Sequence, residues 1–117
     1  MTNQELLGLN QTLNQHADVF KTASGKYAVI KNMKKIQRAL KPYYETLQEL
    51  SEECDLDLSS GTIPDDAPES FMEDVNDLLQ EKADVKLHNI TEKTLQKEEE
   101  KGNNIDINTL VKLQKLI

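Results

Sequence analysis

Tryptophan is absent from this 117-residue sequence, and two Phe and three Tyr are its only aromatic side chains. A core organised around large rings is thereby excluded, and Leu, Ile and Val have to supply it. The single cysteine, Cys54, excludes an internal disulfide framework and fits a reducing compartment. No apolar run approaches the ~20 residues that a membrane-spanning helix needs. Met1 to Glu5 is polar and the apolar positions after it are spaced apart, so no secretory leader is expected. Apolar residues make up 37% of the chain, below the ~45–50% usual for a globular domain. Such a chain is expected to be soluble and intracellular, and to share part of its apolar surface with a partner or a copy of itself.

Charge is plentiful but unevenly placed. Residues 1–50 carry seven basic and four acidic groups, and residues 81–117 carry seven of each. Residues 51–80 hold ten acidic groups and no basic one, which accounts for the overall net charge of −7. Binding of phosphates is driven by positive charge, so direct nucleic-acid binding is not expected.

The spacing of apolar residues predicts a mainly α fold. Thr2 and Glu5 form a T-x-x-E capping box, and Leu6, Leu9, Leu13, His16 or Ala17, and Phe20 follow at intervals of three and four. This predicts a helix over Thr2–Lys21, after which Thr22-Ala23-Ser24-Gly25 breaks it or turns the chain. A second helix is predicted over Lys26–Cys54. Its heptad seam comprises Val29, Met33, Ile36, Leu40, Tyr43, Leu47, Leu50 and Cys54. Pro42 within it predicts a kink near Ala39 to Lys41. Together they predict a long antiparallel helical hairpin over 1–54. Residues 55–69 form an acidic loop rich in turn residues.

Residues 70–117 then form a C-terminal helical segment within the same single domain. A third helix runs from Glu69 to about Lys82. The alternation in Val85–Ile90 fits one short strand or simply extended chain. A charged helix is predicted over Lys93–Lys101, stopped by Gly102-Asn103-Asn104. Asn108 is placed as the cap of a last helix carrying Leu110, Leu113 and Leu116 or Ile117.

Two groups of charged residues are candidate contact sites. Lys31, Lys34, Lys35, Arg38 and Lys41 cluster opposite the apolar seam of the second helix. They form either its solvated back or a dock for an acidic surface. Asp65, Asp66, Glu69, Glu73 and Asp77 form the core of the acidic block. They are either solvated surface or a mimic of a phosphate backbone. Asp55-Leu56-Asp57-Leu58-Ser59-Ser60-Gly61 has partial calcium-loop spacing, but its glycine falls one position late and Asp66 stands where glutamate belongs. Ser24-Gly25-Lys26 is not a phosphate-binding loop, because Phe20 occupies the first glycine position. His16 and His88 have no second ligand at helical spacing, and Cys54 falls on the seam as a small core residue. No catalytic residue, metal site or cofactor is expected.

Within Phe20 to Glu45, the pairs Tyr27-Ala28, Lys31-Asn32 and Lys35-Ile36, followed by Leu40 and Tyr43, make a recognisable pattern. A phenylalanine-led acidic segment (Phe71 to Leu79), the short Val85–Ile90 stretch and a leucine-bearing C-terminal helix come after it. This arrangement resembles small α-helical proteins of tailed bacteriophages and prophages. The resemblance implies a viral setting, in the virion or the host cytoplasm, and carries over no functional residues. The expectation is a non-enzymatic structural or assembly protein. Its partners are expected to be proteins, either copies of itself or another phage protein. The alternative is an acidic inhibitor of a host nucleic-acid-binding or defence protein.

Overall fold

The computed structural model of the chain describes residues 1–113 and Leu116. Five helices lie among these residues: α1 (Asn3–Gln15), α2 (Ala23–Glu53), α3 (Glu69–Gln80), α4 (Glu92–Glu100) and α5 (Ile107–Lys112). Strand pairing among the described residues is limited to one isolated antiparallel bridge, Thr2 with Lys82.

The capping box starts α1 as its sequence predicts. Thr2 Oγ1 accepts from the Glu5 amide at 3.2 Å, and Glu5 Oε1 accepts from the Thr2 amide at 3.2 Å. The helix stops at Gln15, six residues before the predicted end at Lys21. Val19 N donates to His16 O at 3.1 Å, closing a tight turn. The amides of Lys21 and Thr22 then turn to the Glu98 carboxylate instead of a carbonyl four residues back. Phe20 keeps helical spacing in the sequence, yet it is buried from this turn rather than from a helix.

The second helix begins three residues before the predicted Lys26. Thr22 is its N-cap, and Thr22 Oγ1 accepts from the Gly25 amide at 3.0 Å. Gly25 is therefore part of the first turn and not a breaker. A Cβ there would lie 2.8 Å from Phe20 Cβ and 2.9 Å from Glu98 Oε1, so the packing admits only glycine without adjustment. At ~1.5 Å per residue, the 31 residues of α2 span roughly 46 Å. They set the long dimension of a molecule measuring 54 × 25 × 19 Å. Its radius of gyration, 17.3 Å, exceeds the ~13 Å expected for a compact domain of this length. Pro42 lies inside α2 on an exposed position and does not end the helix.

The hairpin of α1 and α2 builds most of the core. Leu6, Leu9 and Leu13 of α1 are buried with Val29, Ile36, Leu40 and Tyr43 of the seam, and Ile90, Leu113 and Leu116 complete the cluster. The third helix packs on both, burying Phe71 and Val75. Its end is tied to the start of α1. Asn3 Nδ2 donates to Leu78 O at 2.8 Å, Asn3 N donates to Glu81 O at 2.9 Å, and Ala83 N donates to Met1 O at 2.8 Å.

Val85–Ile90 is not a strand. It runs extended beside α2, and α2 side chains replace a neighbouring strand. Asn32, fully buried, donates through Nδ2 to His88 O at 2.8 Å and accepts at Oδ1 from His88 N at 2.6 Å. One carboxamide thus makes both bonds that a ladder partner would make. Lys35 Nζ donates to Lys86 O at 2.8 Å.

Thr91 caps α4, and Gly102, at φ 77°, takes the left-handed conformation that ends it. The cap of α5 is Asp106, not Asn108: the Asp106 carboxylate accepts from the Asn108 amide at 3.1 Å, so Asn108 lies within the first turn. Leu113 and Leu116 are fully buried, and Leu116 O accepts from the Ile90 amide. Ile117 lies outside the described residues. No described helix is long and apolar enough to cross a membrane.

Candidate protein-contact surface

The exposed side of α2 carries more than charge. Tyr27, Ile30 and Tyr44 are 58%, 56% and 50% exposed, and they lie on the same broad face as Lys34, Arg38 and Lys41. The positions 27, 30, 34, 41 and 44 keep steps of three, four and seven, so they run as one stripe beside the buried seam. Tyr27 and Ile30 lie one turn apart, and Tyr44 follows about 21 Å further along the helix.

The ends of this stripe are braced. The Tyr27 ring meets the His88 ring edge-on, with centroids 5.7 Å apart, and Lys31 Nζ lies 5.4 Å from the Tyr27 centroid. Tyr44 stacks edge-on against Tyr43, with centroids 5.2 Å apart. Burial raises the Tyr43 hydroxyl above its ordinary pKa, and the neighbouring Tyr44 adds to the shift. Tyr43 is therefore a neutral phenol at physiological pH.

Between these ends, a groove of about 730 Å³ lies where α1 meets α2, lined among others by Asn10, Lys34, Arg38, Leu40, Lys41 and Tyr44. Asn10 Oδ1 is shielded from water and has no hydrogen-bond partner. An orphaned buried acceptor of this kind is uncommon. A second groove of about 560 Å³ continues along the hairpin past Ala17, Ile30 and Met33.

The five cations predicted to form one basic face divide into two groups. Lys31 and Lys35 are half-buried and engaged, on the Tyr27 ring and on Lys86 O. Lys34, Arg38 and Lys41 are exposed. Lys41 Nζ lies 3.8 Å from Glu45 Oε1, with both side chains largely in solvent, so that pair holds it weakly.

All five acids singled out by sequence are exposed. Asp65 and Asp66 lie in the 54–68 connection, and Glu69, Glu73 and Asp77 follow one another at i, i+4 and i+8 on α3. The structure does not bring the acidic row and the basic row together. Among the described residues the ion pair within α2 is the only salt bridge.

Sequence reasoning overlooked the residue that seats this surface. Glu98 is 1% exposed and sits against the N-terminus of α2. Its Oε1 accepts from Thr22 N at 2.8 Å, Thr22 Oγ1 at 2.9 Å and Lys21 N at 2.9 Å, and its Oε2 accepts from Asn103 Nδ2 at 2.8 Å. Burial pushes this carboxyl up in pKa, but the donors of Asn103, Thr22 and Lys21 outweigh it and hold it below the ordinary glutamate value. A carboxylate is also the group that a helix N-terminus favours. In the sequence Glu98 is one of a run of acids on a charged helix. Asn103 is close by in the chain, but the partners at the start of α2, Thr22 and Lys21, are 76 and 77 residues away, and no local pattern marks the contact.

Among the described residues, no three His, Cys, Asp or Glu side chains converge as metal ligands. Set against known protein families, characterised proteins and solved structures, the chain matches none. The phage resemblance therefore rests on the sequence pattern alone.

Proposed function

We propose that this chain is a non-enzymatic contact protein, a structural or assembly component of a tailed phage that works by binding other proteins. The supporting observation is the exposed stripe of Tyr27, Ile30, Lys34, Arg38, Lys41 and Tyr44 beside an open groove. Aromatic and arginine side chains are the residue types that carry binding energy at protein interfaces. The rod-like shape adds to this, since it gives the stripe most of the length of one long helix. The viral setting comes from the pattern beginning at Phe20. Mass spectrometry of purified phage particles and assembly intermediates tests the reading. The chain should appear at a fixed copy number, and its absence from both would remove the structural role.

The exposed row of Glu69, Glu73 and Asp77 favours a second reading, an inhibitor that offers phosphate-like charge to a basic host protein. Neutralising Asp65, Asp66, Glu69, Glu73 and Asp77 separates the two. Under inhibition the variant stays folded and loses its host partner. If wild type and variant capture the same proteins, the acidic row is ordinary solvated surface.

A further inference from the structure

We propose that the α1–α2 groove receives the acidic face of α3 from a second copy of this chain, so that copies join head to tail. The inference rests on the contact-protein reading and names the partner. Within one copy the charges are strongly separated: ten acids and no base in residues 51–80, and Lys34, Arg38 and Lys41 exposed on α2. Among the described residues no salt bridge joins the two groups, and Lys41 has only its weak pair with Glu45. The buried Phe71 and Val75, and the bonds of Asn3 to Leu78 and Glu81, fix α3 in place with Glu69, Glu73 and Asp77 turned to solvent.

A second copy meets the basic row with a row of matching length. Lys34 to Lys41 spans about 10.5 Å of helix, and Glu69 to Asp77 about 12 Å. Beside the acids, Met72 is 38% exposed, an apolar side chain suited to Tyr44 in the lining of the groove. The two rows occupy different parts of the surface, and in the head-to-tail arrangement the contact is heterologous. Each copy uses its groove for one neighbour and its α3 for another, which yields a ring or an open chain.

Sedimentation velocity on the full chain, over a range of concentrations, tests this with three charge-reversal samples. Wild type should associate at about 0.01 M salt and return to single 13.3 kDa chains at about 1 M, where screening lengths fall from ~30 to ~3 Å. Lys34→Glu/Arg38→Glu/Lys41→Glu should weaken association about tenfold or more, and so should Glu69→Lys/Glu73→Lys/Asp77→Lys. All six positions are exposed, and circular dichroism checks that the variants fold. Mixing the two variants should restore assembly, because each reversed row then meets an opposite one. A monomeric wild type at low salt, or association that neither variant alters, overturns the proposal. Association that appears only when nucleic acid is added overturns it too. If wild type is monomeric but the basic-row variant loses a protein partner found in phage-infected cells, self-assembly falls and the contact reading stands.

Discussion

Glu98 Oε1 lies 2.8 Å from the amide of Thr22, so a carboxylate near the end of α4 caps the start of the longest helix. Glu98→Gln keeps the shape but turns an amide group toward donors that need an acceptor. We expect a loss of about 1–3 kcal/mol in unfolding free energy, because buried donors are left unpaired. Denaturant titration followed by circular dichroism measures it. A loss below about half a kilocalorie would show that these amides find other acceptors.

The same contact sets a pH dependence. The folded carboxyl is held below its ordinary value of 4.5, so its ionised form binds more tightly in the native state than in the unfolded chain. Its contribution is therefore complete above the ordinary glutamate range. It declines as pH falls below that value and is gone once pH drops past the folded pKa. Melting temperatures of wild type and Glu98→Gln should differ most near neutrality and converge in acid. A gap that stays constant down to acid unfolding would contradict this.

Two glycines in helices should respond in opposite ways to alanine. Gly8 in α1 has nothing within 4 Å of an added Cβ, so Gly8→Ala should stabilise by roughly 0.5–1 kcal/mol. Gly25→Ala gains the same helix propensity but drives the Cβ into Phe20 and the Glu98 carboxylate. Thermal melts of the pair should move to opposite sides of wild type.

Asn32→Ala removes both bonds to the His88 backbone. The expected cost is about 1–3 kcal/mol, with hydrogen exchange at the His88 amide accelerating more than at Ile36. Equal acceleration at both sites would mean global unfolding and not release of the extended segment.

Leu40 is fully buried at the middle of the seam. Leu40→Ala should cost ~2–5 kcal/mol, the range for a cavity in a well-packed core. A loss of less than half a kilocalorie, read by thermal melts, would show that the seam tolerates the gap.

What could be read in the sequence was what local chemistry decides. The Thr2–Glu5 box, the seam from Val29 to Tyr43 and the turn-rich connection before Glu69 all announce themselves within a few residues. The end of α1 did not, because Ala17 and Phe20 keep helical spacing while the amides of Lys21 and Thr22 are claimed by Glu98. Asn32 left a trace. It falls three residues after Val29 and four before Ile36, a polar residue on a buried stripe, and such a residue needs a partner. The exposed aromatic stripe was hidden by its own cations, since Tyr27 and Tyr44 share a face with lysines that suggest solvent.

The Glu98 contact also bears on the order in which the chain can mature. During synthesis α1 and α2 emerge first, with every residue of the seam already made. At that stage the amides at the start of α2 lack their carboxylate, and Ile90, Leu113 and Leu116 have yet to close the core. Contacts between distant parts of a chain form only after the long intervening loop has been closed, at an entropic cost that slows folding. The complete core and the carboxylate at the start of α2 therefore require residues 90–116, which are made after the hairpin.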